Sequence, residues 1–195
     1  MSQASSIGVY VHIPFCVKKC PYCDFNSYAL KAHAGEGRGA VESMPEKEYV
    51  KALCNELSHY GAREGWKNRT AASIFFGGGT PSLFSPASIK QIIDEIQESF
   101  DLNASEITIE ANPGTIDEAL GGEKLLGFRE AGINRISFGA QSFSATKLSR
   151  LGRIHLPDDV PRAIQFAREA GIAQVSIDLM FGVEGETIED WRGDL

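Results

Sequence analysis

The sequence predicts an α/β fold built from about five βα units, which together form part of a (β/α) barrel. Short runs of β-branched and aromatic residues alternate with longer stretches of helical periodicity, as in proteins with a parallel sheet. The pentapeptide Arg-Glu-Ala-Gly-Ile occurs twice, at 129–133 and 168–172, each time immediately before a predicted strand. The chain has 195 residues, of which 43% are apolar, and this is enough for one domain with a substantial core.

The predicted strands are short segments in which β-branched and aromatic side chains dominate. They occupy residues 7–13, 72–76, 106–111, 133–138 and 173–179. Because longer helical stretches separate them, the strands are expected to pair in parallel.

Two helices are predicted from apolar side chains that recur at helical spacing. Ser85 can cap the free N–H groups at the start of the second helix, and Pro86 suits its first position. Gly132 and Gly171, within the two pentapeptides, are expected to end helices in the left-handed conformation. The two apolar faces consist of Tyr49, Val50, Leu53, Cys54 and Leu57, and of Ile89, Ile92, Ile93, Ile96 and Phe100.

The ends of the chain and one internal segment define the predicted domain organisation. Residues 1–6 are expected to be a disordered tail, and 7–195 a single core domain with a mobile loop at 28–45, either a solvated linker or a lid. Thr187 and Asp190 form a capping-box-like helix start. Only four residues follow Trp191, too few for a stable helix, so we expect a fragment of a longer protein.

Composition restricts the classes of partner. The chain has 26 acidic and 19 basic residues, a net charge of −7 and no basic block, which argues against binding to nucleic acid or to an anionic membrane. No apolar run approaches the roughly 20 residues of a membrane span, and the N-terminus does not resemble a signal peptide, so we expect a cytoplasmic protein. Because disulfides are rare in the reducing cytoplasm, its four cysteines are not expected to form a disulfide framework. Cys54, on an apolar helix face, is expected to be a buried structural thiol.

The other three cysteines form a C-x3-C-x2-C motif directly after the first predicted strand. Cys16, Cys20 and Cys23 provide three thiolates. A structural zinc ion takes four protein ligands, whereas three thiolates on a four-iron cluster leave one iron open to a small ligand. A zinc site would need His12 or His33 as its fourth ligand, and neither has zinc-finger spacing. The motif therefore favours a cluster.

This motif and several other blocks resemble the radical S-adenosylmethionine (SAM) superfamily. Within it they are similar to the oxygen-independent coproporphyrinogen III oxidase family and its haem-chaperone branch, HemW. The resemblance implies a partial TIM-like radical SAM barrel, a [4Fe-4S] cluster on the three cysteines, SAM bound at the open iron and cleaved reductively, and an electron donor. The blocks lie at 10–16, 76–82, 109–113, 136–143 and 177–182.

The resemblance also implies which residues contact SAM. The loop Gly78, Gly79 and Thr80 matches the one that holds the methionine end. Taken alone, such a glycine run is typical of a strand-to-helix turn, and the charged residues could be surface charges, caps or ion pairs. Most of the candidates follow the carboxyl ends of predicted strands, which share one face of a parallel barrel. The matching positions are Tyr10, Tyr22, Gly78, Gly79, Thr80, Glu110, Gln141, Arg153 and Asp178.

Two functions are consistent with the resemblance. One is a chaperone that binds haem and delivers it to haem-requiring proteins, and the other is a dehydrogenase that decarboxylates coproporphyrinogen III, a porphyrinogen. The dehydrogenase branch has a cysteine where this chain has Phe25, and a longer segment before the cluster motif than the 15 residues that precede Cys16. The chaperone is therefore predicted, with no residue assigned as haem ligand. A zinc-stabilised binding module without SAM chemistry is a third hypothesis.

Overall fold

A five-stranded parallel sheet forms the centre of the fold. The computed structural model describes residues 6–30, 44–67, 69–116 and 121–195. The sheet contains β1 (Ser6–Ile13), β4 (Thr70–Gly78), β5 (Asp101–Ala111), β6 (Arg135–Gln141) and β7 (Gln174–Leu179), side by side in chain order. All five predicted strands are confirmed. A separate pair joins β2 (Phe15–Cys16) to β3 (Tyr28–Ala29).

Helices connect the strands and cover one side of the sheet. Ser85 accepts a hydrogen bond from the Ser88 N–H at 3.2 Å, which confirms the predicted cap. Gly132 and Gly171 have φ of 113° and 81° and follow the ends of two helices, as predicted. The helices are α1 (Glu46–Ala62), α2 (Pro86–Ser99), α3 (Gly121–Ala131), α4 (Ala145–Arg150), α5 (Asp159–Glu169) and α6 (Ile188–Asp194).

The two faces of the sheet differ in polarity because side chains alternate along each strand. On the outer face, apolar side chains pack against α1, α2, α3 and α5, and each fully buried one contributes about 1.5–3 kcal/mol. The inner face carries polar side chains, including His12, Glu110 and Asp178, beside the stacked rings of Tyr10 and Phe75. The outer core includes Val11, Ile13, Ile74, Phe76, Ile89, Ile92, Ile109, Phe128, Ile136 and Phe138. The apolar core thus lies on the outer face of the sheet, and the polar side chains available to a ligand lie on the inner face.

Some boundaries differ from the sequence prediction. Residues 1–5 of the predicted tail and 31–43 of the predicted loop lie outside the described residues, while Ser6 already belongs to β1. The start of the predicted loop is a strand instead, because the Tyr28 N–H donates to Pro14 O at 2.7 Å and the Leu30 N–H to Cys16 O at 2.8 Å. Helix α4 was not predicted.

The predicted start of the last helix is confirmed. Thr187 and Asp190 form the predicted capping box, with Thr187 Oγ1 accepting from the Asp190 N–H at 3.1 Å, and α6 follows it. Tertiary contacts hold this part of the helix in place. The α6 residue Asp194 is 4% exposed and accepts hydrogen bonds from the rest of the domain.

A buried ionic network joins the segments that follow β6 and β7. Lys147 Nζ lies 3.0 Å from Asp194 Oδ2 and also contacts the Glu186 carboxylate. Asp194 accepts further hydrogen bonds from the Ser142 hydroxyl at 2.8 Å and the Phe143 N–H at 2.6 Å. Burial alone would raise the pKa of Asp194, but these hydrogen bonds and the Lys147 charge lower it. The network fixes the two segments relative to each other.

Within the four described ranges, no helix combines the length and apolarity that crossing a membrane requires.

Candidate functional site

A cavity at the carboxyl ends of the strands brings most of the candidate residues together. It is lined by all three motif cysteines and by eight of the nine predicted SAM residues, with Tyr10 as the exception. Tyr10 lies deeper on the inner face of β1, where its hydroxyl contacts His12 Nδ1 at 3.2 Å and its ring stacks on Phe75. The cavity-lining candidates are Cys16, Cys20, Tyr22, Cys23, Gly78, Gly79, Thr80, Glu110, Gln141, Arg153 and Asp178.

The three thiols surround one side of this cavity. Cys16 is buried in β2, whereas Cys20 and Cys23 are half-buried in the following turn, which is closed by a Cys23 N–H to Cys20 O bond of 3.0 Å. Burial raises the pKa of the Cys16 thiol, contacts with the Thr80 and Ser27 hydroxyls oppose the rise, and the two neighbouring thiols add to it. Since a metal-bound thiol must lose its proton, ligation here releases protons.

The described side chains near the thiols do not form a site for a single metal ion. In the described part of the chain, no three His, Cys, Asp or Glu side chains are placed to hold one metal ion together. The ligands of a four-iron cluster bind different irons and need not converge on one point. The ring nitrogens of His12 contact the Tyr10 hydroxyl and Asn26 O, the latter at 2.9 Å, so His12 is engaged elsewhere, and His33 lies outside the described residues.

The glycine run at the end of β4 packs against the segment that leads to the cysteines. The Gly79 N–H donates to Ile13 O and the Thr80 N–H donates to Phe15 O, both at 2.8 Å. A Cβ at position 79 would lie 2.6 Å from Phe15 O, and one at Gly78, where φ is 117°, would lie 2.7 Å from the His12 ring. These glycines are therefore required for close packing against the cysteine segment, independently of any ligand.

Glu110, at the carboxyl end of β5, directs a carboxylate into the cavity beside this run. Its Oε2 atom accepts a hydrogen bond from the Gly78 N–H at 3.1 Å. Partial burial raises the pKa of Glu110; the Gly78 N–H opposes the rise, the nearby Asp178 carboxylate adds to it, and His12 opposes it. Two carboxylates close together in a cavity form a binding site for a cationic group.

Gln141, Gly139 and Arg153 meet on the opposite wall. A Cβ at Gly139 would lie 3.0 Å from Gln141 Nε2 and 3.4 Å from an Arg153 guanidinium nitrogen. Both side chains therefore pack directly over this glycine. Gln141 has a φ of 67°, a left-handed conformation that no other non-glycine residue adopts in the described ranges. Such strained conformations concentrate at binding and active sites.

Arg153 connects this wall to the cysteines. Its guanidinium donates to Cys20 Sγ at 3.5 Å and to Gly139 O. Tyr22 also contacts Cys20 and Arg153, and burial, opposed by Arg153 and reinforced by Cys20, raises the pKa of Tyr22 to about 12. Arg153 Nε is buried and has no hydrogen-bond partner among the described residues. One donor of the guanidinium is therefore left unsatisfied by the described residues.

Comparison with known proteins decides the family. The model of the radical SAM superfamily matches residues 10–195. The chain belongs to the radical SAM superfamily. Among solved structures, coproporphyrinogen III oxidase (HemN) from Escherichia coli, a radical SAM enzyme, has a TM-score of 0.79 at 27% identity, covering 98% of this chain and 40% of HemN. Methylornithine synthase (PylB), with a TM-score of 0.57 at 18% identity over 97% of this chain and 49% of its own, shares the fold.

Curated relatives include several haem chaperones. HemW of Escherichia coli is 42% identical over all of this chain, and HemW of Bacillus subtilis is 40% identical over 93% of it. The mitochondrial radical S-adenosyl methionine domain-containing protein 1 of Mus musculus is 36% identical over all of this chain. These matches cover 48%, 44% and 40% of the respective relatives, so the chain spans about half the length of the HemW proteins or less.

Residues present in this radical SAM chain fit the cluster and SAM that the family binds. Three thiols are available on one side of the cavity, and an unsatisfied Arg153 donor lies next to one of them. Glu110 and Asp178 on the inner face offer acceptors for the ammonium or hydroxyl groups of SAM.

Several residues that line this cavity were not predicted from the sequence. Ser137, Asn112 and Gly139 line the cavity. Ser137 could have been found because it alternates with the apolar Ile136 and Phe138, which marks it as facing the inner side of β6.

His155 was also missed, and no local pattern indicates it. It is 2% exposed, and its Nε2 atom contacts Ala140 O at 2.9 Å, directly before Gln141. Burial, with the nearby Arg153 charge, lowers the pKa of His155 to about 4, so the ring is neutral at pH 7 and donates from Nε2. It supports the backbone of the strained Gln141.

Proposed function

We propose that this chain is the cluster-binding and SAM-binding part of a haem chaperone, and that the intact protein binds haem and delivers it to haem-requiring proteins. One observation carries the proposal: three thiols, a glycine run and paired carboxylates line one cavity at the carboxyl ends of the strands. Similarity to the HemW proteins over the whole chain supports the chaperone rather than another radical SAM function.

The cysteines and the glycine run form the part of the site that holds the cofactors. Cys16, Cys20 and Cys23 would ligate three irons of a [4Fe-4S] cluster, leaving the fourth iron to SAM. When bound, the reduced cluster supplies the electron that cleaves SAM reductively, and an external electron donor must provide it. Gly78 and Gly79 have no side chains, so the methionine end of SAM could approach the backbone beside the thiols.

The polar side chains of the cavity would orient SAM. Glu110 accepts hydrogen bonds from its ammonium group, and Asp178 accepts them from an amine or hydroxyl. Arg153 pairs with a carboxylate through its remaining donors, while Gln141 provides both a donor and an acceptor beside it. Tyr22 offers an aromatic face at the rim for the adenine. Tyr10 would contact SAM from the inner face of β1, further from the carboxyl ends of the strands than the other candidates.

An enzymatic function remains the second candidate, on one specific observation. HemN, a coproporphyrinogen III oxidase, superposes on 98% of this chain with a TM-score of 0.79. Against this function, Phe25 replaces the additional cysteine of that branch, and its ring is 67% exposed at the rim of the cavity. We therefore expect the intact protein to lack coproporphyrinogen dehydrogenase activity.

The cofactor part of the proposal is tested by electron paramagnetic resonance. The intact protein is reconstituted anaerobically with iron and sulfide, reduced, and recorded with and without SAM. We expect a four-iron signal that shifts on adding SAM, is lost in Cys20→Ala and persists in the matched control Cys54→Ala. Zinc in place of iron would refute the proposal and favour the zinc module. A cluster signal that is insensitive to SAM would refute the SAM-binding part of the proposal.

The chaperone part is tested separately. Haem titration of the intact protein, followed by absorbance, should show stoichiometric binding and transfer to a haem-free acceptor protein. The same preparation, given SAM, reductant and coproporphyrinogen III, should produce no protoporphyrinogen IX. Conversion without haem binding would identify a dehydrogenase and overturn the chaperone proposal, while leaving the cofactor site intact.

A further inference from the structure

A continuous chain of hydrogen bonds crosses the inner faces of β6 and β7 and ends at the candidate site. Arg135 donates from a terminal guanidinium nitrogen to Ser176 Oγ at 2.9 Å. The Ser176 hydroxyl donates to Ser137 Oγ at 3.0 Å, and the Ser137 hydroxyl donates to the Asp178 carboxylate at 3.3 Å. Two serine side chains therefore connect the cation to the carboxylate through three consecutive hydrogen bonds.

The two ends of this chain determine its direction. A guanidinium can only donate hydrogen bonds, and a carboxylate can only accept them. Each serine between them must therefore accept from the arginine side and donate towards Asp178. Hydrogen bonds aligned in this way polarise and strengthen one another. The Arg135 charge thus orients the last hydroxyl towards the carboxylate.

Arg135 itself is fixed in a layer below the cavity. It precedes Ser137 by two residues on β6, which places it about 7 Å further from the carboxyl ends of the strands. Its second terminal nitrogen donates to Thr108 Oγ1 at 3.3 Å and lies 3.8 Å from Glu106 Oε1. Ser137 and Asp178 line the cavity, whereas Arg135 does not.

Asp178 receives its hydrogen bond from a buried donor. The Ser137 hydroxyl lies 3.4 Å and 3.3 Å from the two carboxylate oxygens of Asp178, and Ser137 is 5% exposed. A carboxylate loses rotational freedom when it binds a ligand, and a preorganised hydrogen bond reduces that cost.

We propose that Arg135 is a positioning residue for SAM, which acts on Asp178 through Ser176 and Ser137 without touching the ligand. The proposal rests on the proposed function, since it assigns Asp178 a contact with bound SAM. It predicts a site whose affinity depends on a cation outside the cavity.

The test measures SAM binding to the reconstituted intact protein by calorimetry, together with the SAM-induced shift of the cluster signal. Arg135→Met should weaken SAM binding about tenfold, the effect of losing one hydrogen bond to a charged group. Arg135→Lys should restore part of it. Ser176→Ala, which interrupts the chain but keeps the charge, should weaken binding in the same direction.

Two controls separate positioning from loss of structure. Arg129→Met makes the same substitution at an exposed site on α3 and should leave SAM binding unchanged. In an Asp178→Asn background, Arg135→Met should cause little further loss, because its effect passes through that carboxylate. A full tenfold loss in that background, or wild-type affinity in both Arg135→Met and Ser176→Ala, would overturn the inference. Failure of the unmodified protein to bind SAM would instead overturn the proposed function and, with it, this inference.

Discussion

Replacement of Lys147 by methionine would test how the segments after β6 and β7 are held together. The Lys147, Glu186 and Asp194 side chains are 7%, 7% and 2% exposed. Methionine retains the apolar stem of lysine but removes the charge, so two buried carboxylates lose their common partner. Breaking a buried ion pair from one side costs about 3–5 kcal/mol of unfolding free energy.

The measurement is urea unfolding of the intact protein, followed by tryptophan fluorescence. Trp191 is a local reporter, because Lys147 Nζ lies 5.4 Å from its ring centre. The matched control is Lys90→Met, which removes an exposed pair with Asp94 and should cost about 0.5 kcal/mol or less. If Lys147→Met is no more destabilising than Lys90→Met, the buried network does not stabilise this end of the barrel.

The pH dependence of this difference has a definite sign. The pKa of Asp194 is lowered in the folded protein, mainly by hydrogen bonds that outweigh burial, so its contribution is present above its ordinary value of 3.8 and is lost in more acidic solution. The Lys147 pKa is raised by its carboxylate partners against the effect of burial, so its contribution is complete at neutral pH. The cost of Lys147→Met should therefore shrink as the pH falls below about 4.

Three further predictions concern the site and its supports. Gly79→Ala should reduce both cluster loading and SAM affinity, whereas Gly122→Ala, with no atom within 4 Å of the added Cβ, should leave iron content and SAM titrations unchanged. SAM affinity should fall as the solution is acidified, beginning above pH 4.5, because burial and the nearby Asp178 carboxylate raise the pKa of Glu110. Titrations of Glu110→Gln with SAM should show weak binding without this pH dependence. Ser85→Ala should lower the unfolding free energy by about 1 kcal/mol in denaturant titrations, and an unchanged midpoint would exclude the cap as a stabilising contact.

The parallel sheet could be predicted because its signals are local and repeated. All five strands contain β-branched or aromatic residues, and Gly132 and Gly171 mark two helix ends by a conformation that glycine favours. Cavity-lining residues such as Gly78 and Asp178 were found because a family motif and the carboxyl end of a strand coincide there.

The remaining features depend on contacts between residues distant in sequence. Nothing in the local sequence distinguishes Lys147 from an exposed helical lysine. Its buried partner Asp194 lies 47 positions away in the chain. Asp194 likewise connects α6 to Ser142 and Phe143, 52 and 51 positions earlier in the chain. The hydrogen bond from Arg135 to Ser176 spans 41 positions, and no pattern within β6 alone indicates it.

The contact of Gly79 with Phe15 O has a practical consequence for protein engineering. The cysteine turn and the glycine run occupy separate parts of the sequence, yet only 2.6 Å would separate a Cβ on one from the backbone of the other. If the cysteine motif were transplanted alone into an unrelated barrel, side chains of the host would occupy the space that Gly78 and Gly79 leave free here, and they would clash with the cysteine segment. The two segments pack closely against each other, and designs that transplant the cysteine motif should move them together.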